Sequence, residues 1–410
     1  MREKRTVLKN GKIITETEVL QNFALILCGN TIDEIIPQSK LSAIGDGLKL
    51  IDCSNQYILP GLIDIHSDMI EHIIVPRKGL VFDYSIALFE ADRQLINQGI
   101  TTIFHSVSIA NSTICNRKRT LSVPEMIGIG DAICQYDPEL LIHHRFHARL
   151  ELNTIEAFED IAQRILQGNI HELSLMNHTP GQGQYASLNA FKLEIKKQYG
   201  EVSEARMAEI IRECREKPLL SQAKIDALLE YSTAKRIPIA FHDVETENQL
   251  EFMRKHNIRI SEFPLNANIA AKVSGSGFFN LVGAPNILKK KSHNNNASAI
   301  ELLENGWAKI ICSDYFSPAL LLSVFMLPKV TDLSLPETVR FATYYPAQAV
   351  NIDRQYGSIA PGKNADIIVV DDRGVVPKVV LAFVDGKQKL NLFYGGHYNE
   401  SGCEVNEVAL

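Results

Sequence analysis

The chain has 410 residues, 45% hydrophobic and 22% charged, with 42 Lys and Arg against 48 Asp and Glu for a formal net charge of −6. That length exceeds one small domain and suits a barrel of roughly 250 residues with a satellite, and the apolar share excludes a disordered chain. The acidic balance excludes a global basic field for nucleic acid, so any polyanion must be bound locally.

In chain order, the opening Met-Arg-Glu-Lys-Arg leads into no apolar signal segment, and no run approaches the ~20 residues that span a bilayer. A soluble protein with no membrane contact is expected. Short strands separated by turns follow: Thr6 to Leu8, Ala24 to Leu27 and Ile32 to Ile36. From residue 61, apolar runs of strand length alternate with amphipathic helical segments, the pattern of repeated βα units on a parallel sheet. The runs are Leu62 to His66, Thr101 to Val107, Arg145 to Leu152, Glu172 to His178, Pro238 to His242, Ile260 to Pro264, Asn280 to Pro285 and Lys309 to Asp314. Helices are expected over about 86 to 98, before Gly99, and over 156 to 167, before Gly168, each glycine acting as a C-terminal stop. The charged stretch from Leu188 to Lys235 is longer than one crossover needs and is expected to insert beyond the barrel. Strand composition returns at Asp366 to Val370 and Val379 to Val384, with turn signals at Asp372-Arg373-Gly374 and Asp385-Gly386. The expected architecture is therefore α/β: a (β/α)₈ TIM-like barrel over 61–347, and a small β-sandwich satellite built from both termini, 1–60 and 348–410. Seven scattered cysteines (Cys28, Cys53, Cys115, Cys134, Cys214, Cys312, Cys403) form no CxxC, which argues against a disulfide framework or zinc knuckle and fits a reducing cytoplasm.

The ionisable residues fall at strand ends. His66 and Asp68 close the first strand, Glu151 the third, His178 the fourth, His242 the fifth and Asp314 the eighth. C-terminal strand ends of a barrel face one cavity, so these residues are expected to converge. Three carboxylates buried without cations carry a large desolvation penalty, whereas imidazoles and carboxylates together suit one or two divalent ions, zinc first among them, with Mn, Fe or Co as alternatives. His66 and Asp68, two apart, share a strand face and can chelate one ion. His143, His144 and His147 stay unassigned, and His105 is read as a strand-end histidine near the cavity.

Leu59-Pro60-Gly61-Leu62-Ile63-Asp64-Ile65-His66-Ser67-Asp68, with Gly357-x-Ile359-x-x-Gly362-Lys363-x-Ala365-Asp366, resembles the amidohydrolase superfamily across the whole chain. His-x-Asp in place of the usual His-x-His points to the subfamily of α-D-ribose 1-methylphosphonate 5-triphosphate diphosphatases, of phosphonate degradation. The similarity continues through Pro76-Arg77, Gly99 to Thr102, Arg149 to Leu152, His178 to Tyr185, Ser261 to Pro264, Gly283 to Asn286, Ser292-His293-x-x-Asn296 and Ser313 to Tyr315. It implies that His66, Asp68 and Asp314 hold one metal, that His178 and His242 hold another, and that Glu151 bridges. It implies hydrolysis of a small phosphorylated substrate, with the proton passed to Asp314 as catalytic residue.

A triphosphate needs local cations. Arg77, after the first strand, is a candidate anion clamp, and Lys289, Lys290, Lys291, Ser292, His293 and Asn296 follow the seventh strand as a candidate phosphate cradle. Gln182, Gln184 and Tyr185 are added as substrate-binding residues by the resemblance. Three positions depart from the subfamily: Met69 stands for Asn, His105 for an acidic residue, and the segment from Lys289 to Asn296 is poorer in glycine. Hydrolysis of a C–N bond and a catalytically silent ligand-binding barrel therefore remain open alternatives, as does homo-oligomer formation.

Overall fold

The computed structural model describes residues 5–43, 48–111, 121–181, 188–289 and 298–394. All eight apolar runs form strands, here β1 (Leu62–Ser67), β2 (Ile100–Ile109), β3 (His143–Glu151), β4 (Glu172–Met176), β5 (Ile239–His242), β6 (Ile260–Glu262), β7 (Phe279–Gly283) and β8 (Ile310–Cys312). They pair in sequence order as one parallel sheet. Ser67 and Asp314 form a parallel bridge that brings β8 back to β1, with Asp314 donating its N–H to His66 at 3.0 Å and Asp68 its own to Asp314 at 2.8 Å. The closure therefore runs through the predicted metal ligands themselves.

Inside the barrel, Ile63, Ile65, Phe104, Ala240, Ile260, Leu281, Ile310 and Cys312 pack as an apolar plug. Outside it, helices cover the strands. Tyr84–Asn97 begins at Asp83, whose carboxylate accepts the N–H groups of Ser85 and Ile86, an N-cap that satisfies donors the helix cannot. Phe158–Gln167 buries Ile161, Ala162 and Ile165 and stops at Gly168, which is left-handed at φ 81°. Between β4 and β5 lie three helices, Leu188–Tyr199, Glu204–Arg215 and Gln222–Ala234. The first two keep a small core of their own, Phe191, Ile195, Met207, Ile210 and Cys214. The third packs Leu228 and Leu229 into the main core, so the expected insertion is shorter than Leu188 to Lys235 and its last helix is the barrel crossover. Cys53, Cys134 and Cys312 are free thiols. Cys214 is disulfide-bonded; scattered spacing excludes a framework but does not exclude a single bond.

The terminal strands make two sheets. One orders Thr31–Pro37, Phe23–Cys28, Arg5–Lys9 and Lys49–Asp52; the other orders Lys387–Asn391, Lys378–Val384, Ile367–Asp371, Tyr57–Pro60, Lys12–Ile14 and Val19–Leu20. Both chain ends meet in the second sheet, where Ile367–Asp371 lies antiparallel to Tyr57–Pro60. Leu8, Leu25 and Leu27 from one sheet and Ile58, Ile367, Val369 and Phe383 from the other share a core, which is the expected sandwich. Among the described residues, no helix is long and apolar enough to cross a membrane.

Candidate active site at the barrel mouth

Above the apolar plug, the inward positions turn ionisable. On β3 the period of two sends His147, Arg149 and Glu151 to the interior in succession. His147 meets Glu262 of β6, Nε2 to Oε1 3.7 Å, and Glu262 in turn lies 2.5 Å from Nδ1 of His66 and accepts the Ser174 hydroxyl. One level higher, the Arg149 guanidinium donates to Asp68 at 2.6 Å and stands 3.3 Å from Nε2 of His242. Ser106 also donates to Asp68, at 3.0 Å. Both oxygens of Glu151 are engaged by His178, through its backbone N–H at 2.9 Å and its Nδ1 at 2.6 Å. Asp243 joins His178 and His242, with its Oδ2 3.4 Å from the one and 3.1 Å from the other.

Burial and neighbouring charge set the protonation states. Burial by itself would raise Glu262, but the imidazoles of His66 and His147 outweigh it and hold its carboxyl well below the ordinary range. Burial pushes His147 down to about 3 despite Glu262. For His178 burial is outweighed by Glu151 and Asp243, which carry it up to about 10. Asp314 is raised by burial and then by the charge of Asp68, against the pull of His66, Arg149 and His242. Such splitting of carboxyls into one held ionised and one raised is the pattern of acid–base sites.

The six residues predicted as ligands reach one mouth from five strands, and His178 and His242 share a donor group with Asp243. Asp68 faces Arg149, and Glu151 is spent on His178. Glu262, Asp243 and Arg149 were not among the predicted residues. Glu262 and Arg149 lay inside quoted motif blocks, and Asp243 directly follows His242, so position at a strand end was the signal that could have found them. His105 turns away from the cavity: its Nε2 is 2.8 Å from Nδ1 of His144, which continues to Asp92 at 3.2 Å behind the sheet. Arg77 is exposed beyond the helix Met69–Ile74, and among the described residues no carboxylate pairs with it. Lys289 ends the helix Ala284–Lys289 and its ammonium bonds the hydroxyl of Tyr315, beside Asp314. Gln182, Gln184, Tyr185, Lys290, Lys291, Ser292, His293 and Asn296 lie outside the described residues.

The donor chemistry fits a divalent cation. Buried Nε2 of His66, Nε2 of His147, Nδ1 of His242 and Oδ2 of Asp243 have no hydrogen-bond partner, and such atoms are rare unless something else satisfies them. At the mouth, two groups have donor atoms within 4.8 Å of one another, His66 with His147 and Glu262, and His178 with His242 and Asp243.

A parallel eight-stranded barrel with imidazoles and carboxylates gathered at the C-terminal strand ends is the arrangement of barrel hydrolases, with donor groups that could hold a metal. The chain belongs to the amidohydrolase family, whose model matches residues 57–395. It is 28% identical over 381 residues, 88% of this chain and 94% of the relative, to the α-D-ribose 1-methylphosphonate 5-triphosphate diphosphatase of Escherichia coli K12. Among solved structures it is similar to molinate hydrolase, with TM-score 0.65, 12% identity and 95% of each chain covered. It is likewise similar to dihydropyrimidinase of Brevibacillus agri, with TM-score 0.60, 13% identity, and 94% and 95% covered.

Proposed function

We propose that the mouth hydrolyses a phosphoanhydride, converting α-D-ribose 1-methylphosphonate 5-triphosphate to the 5-phosphate and pyrophosphate. The single observation that carries this reading is the 28% identity to the diphosphatase, extending over 88% of the chain rather than over isolated motifs. His66, His147 and Glu262, with Asp68 and Asp314 beside them, would hold one cation, zinc by preference for this N/O donor set, and His178, His242 and Asp243 a second. A bound cation supplies Lewis acidity and an acidified water. The chain's own residues do the rest. Asp314, raised by burial and by Asp68, accepts the proton of the attacking water at its carboxylate. Arg149 supplies a fixed positive charge at the level of Asp68 and His242, where phosphoryl oxygens need neutralising. Lys289, tethered to Tyr315, extends that positive field toward the rim, and Arg77, Lys290, Lys291, Ser292, His293 and Asn296 are assigned to phosphate binding from the sequence alone.

A second reading is hydrolysis of a C–N bond, favoured by structural neighbours such as dihydropyrimidinase and D-hydantoinase. The test separates them. Metal-loaded protein is incubated with the triphosphate and with cyclic amides, following phosphorus species by NMR and ring opening by absorbance. Pyrophosphate release is expected from the first and no turnover from the second. Asp314→Asn should lower turnover roughly 10²–10⁴-fold with KM changed little. Ring opening without pyrophosphate release, with every metal tried, would overturn the proposal in favour of C–N hydrolysis.

A further inference from the structure

One group of ionisable side chains lies away from the mouth and outside the proposed reaction. His143 opens β3 at the opposite end of the barrel. Asp366 immediately precedes the strand Ile367–Asp371, and Asp385 sits in the turn between Lys378–Val384 and Lys387–Asn391. The three come from the barrel and from two successive strands of the satellite, so only the folded chain assembles them.

Nε2 of His143 is 3.3 Å from Oδ2 of Asp366 and 3.8 Å from Oδ1 of Asp385, with side-chain exposures of 14%, 5% and 42%. Asp366 spends its other oxygen on the backbone N–H of Asp385, at 2.8 Å. Its buried Oδ2 has no hydrogen-bond partner, and neither does Nε2 of His143. An imidazole N–H and a carboxylate at this separation ordinarily align as a hydrogen bond. Here no aligned hydrogen bond forms at 3.3 Å, an arrangement two lone pairs sharing a common centre would give, while the carboxylate of Asp366, against burial, also raises the affinity of His143 for a proton. Donors held ~2.0–2.2 Å from an ion, at tetrahedral or octahedral angles, stand roughly 3.0–3.5 Å apart; the His143–Asp366 separation of 3.3 Å meets this, and Asp385, at 3.8 Å, would have to move slightly inward on binding.

We propose that His143, Asp366 and Asp385 form a divalent transition-metal site, separate from the mouth, that clips the start of β3 to the satellite sheet. One imidazole with two carboxylates suits zinc, manganese or iron, whereas calcium and magnesium prefer all-oxygen shells. Asn364 donates to Oδ1 of Asp385 at 3.2 Å and so orients that carboxylate, the kind of support that ligating carboxylates receive. The Tyr356 ring closes one side, edge-on to His143 with centroids 5.3 Å apart. The half-exposed Asp385 leaves a path for entry and room for water to complete the shell. The competing occupant is a proton, which would make His143 a cation between two carboxylates.

Full-length protein is loaded with zinc, passed through gel filtration and analysed for metal, beside His143→Ala and Asp385→Asn. Each variant should hold about one zinc per chain fewer than the parent, with turnover at the mouth unchanged. Zinc should raise the melting temperature of the metal-depleted parent more than that of either variant. If His143→Ala does not fold, Asp385→Asn decides alone, since asparagine tolerates the left-handed backbone there, at φ 48°. Equal zinc content in the parent and every folded variant overturns the site and leaves the proton as occupant. The zinc difference does not depend on which substrate the mouth cleaves, so this result and the proposed reaction stand or fall separately.

Discussion

His171, just ahead of β4, accepts the N–H of Phe146 on Nδ1 at 3.0 Å, and a protonated imidazole has no lone pair for that bond. Burial, helped by the charge of Arg145, lowers its pKa from 6.5 to about 4 in the fold. The unfolded chain therefore binds more protons between those values, so stability is full above about 6.5 and is lost as pH falls toward about 4. The loss is on the order of 3 kcal/mol. His171→Asn offers an acceptor oxygen that does not titrate, so urea unfolding at successive pH values should show a shallower acid decline in the variant; identical slopes would remove His171 from the acid response. The same dependence on partners explains what the sequence left illegible at this scale. Strand-end position made His66, Asp68, Glu151, His178, His242 and Asp314 visible, because a barrel gathers its strand ends. Whether Asp68 faces a cation from β3, or Glu262 an imidazole from β1, depends on register between strands far apart in the chain, and no local pattern carries that.

Elements were legible where both faces of a strand are buried, since parallel strands then read as unbroken apolar runs; β1, β2 and β4 are buried at every position. Short, partly exposed strands such as Lys49–Asp52 and Lys387–Asn391 carry no such signal and owe their pairing to neighbours already in place. Glycines mark the helix ends, but two with the same backbone do different work. Gly99 (φ 82°) packs so closely that an added Cβ would come 2.8 Å from Ile368 and 3.2 Å from Val379, both of the satellite sheet, whereas Gly168 (φ 81°) has open space around it. Gly168→Ala should cost about 1–2 kcal/mol for the left-handed backbone alone. Gly99→Ala should cost about 1–3 kcal/mol more, because the methyl group overpacks the junction. Denaturant titration of the two variants checks this. Equal losses would mean that the sheet yields to the methyl group and that the junction is looser than it looks.

The central strands of the second satellite sheet are covered on both faces, and that bears on how the whole molecule unfolds. Ile58, Ile367, Val369 and Phe383 point into the sandwich, while Leu59, Ile368, Val370, Val379, Ala382 and Val384 join the core of the barrel and its helices. At about 1.5–3 kcal/mol for each large apolar side chain buried, the second set contributes on the order of 10 kcal/mol, as much as the entire net stability of a typical domain. Detaching the satellite would expose this set, so satellite and barrel should melt together. Two residues report on the two parts. Trp307, the single tryptophan, packs against the main core. Cys53 is fully buried in the sandwich core, where burial, and then the charge of Asp52, push its thiol up to about 12 and leave it unreactive until that core opens. In a urea series, Trp307 fluorescence and alkylation of Cys53, the latter followed by mass spectrometry of its peptide, should give superimposable transitions. Cys53 becoming reactive at a urea concentration where Trp307 still reports a folded barrel would show that the satellite opens first and that the shared face does not couple them.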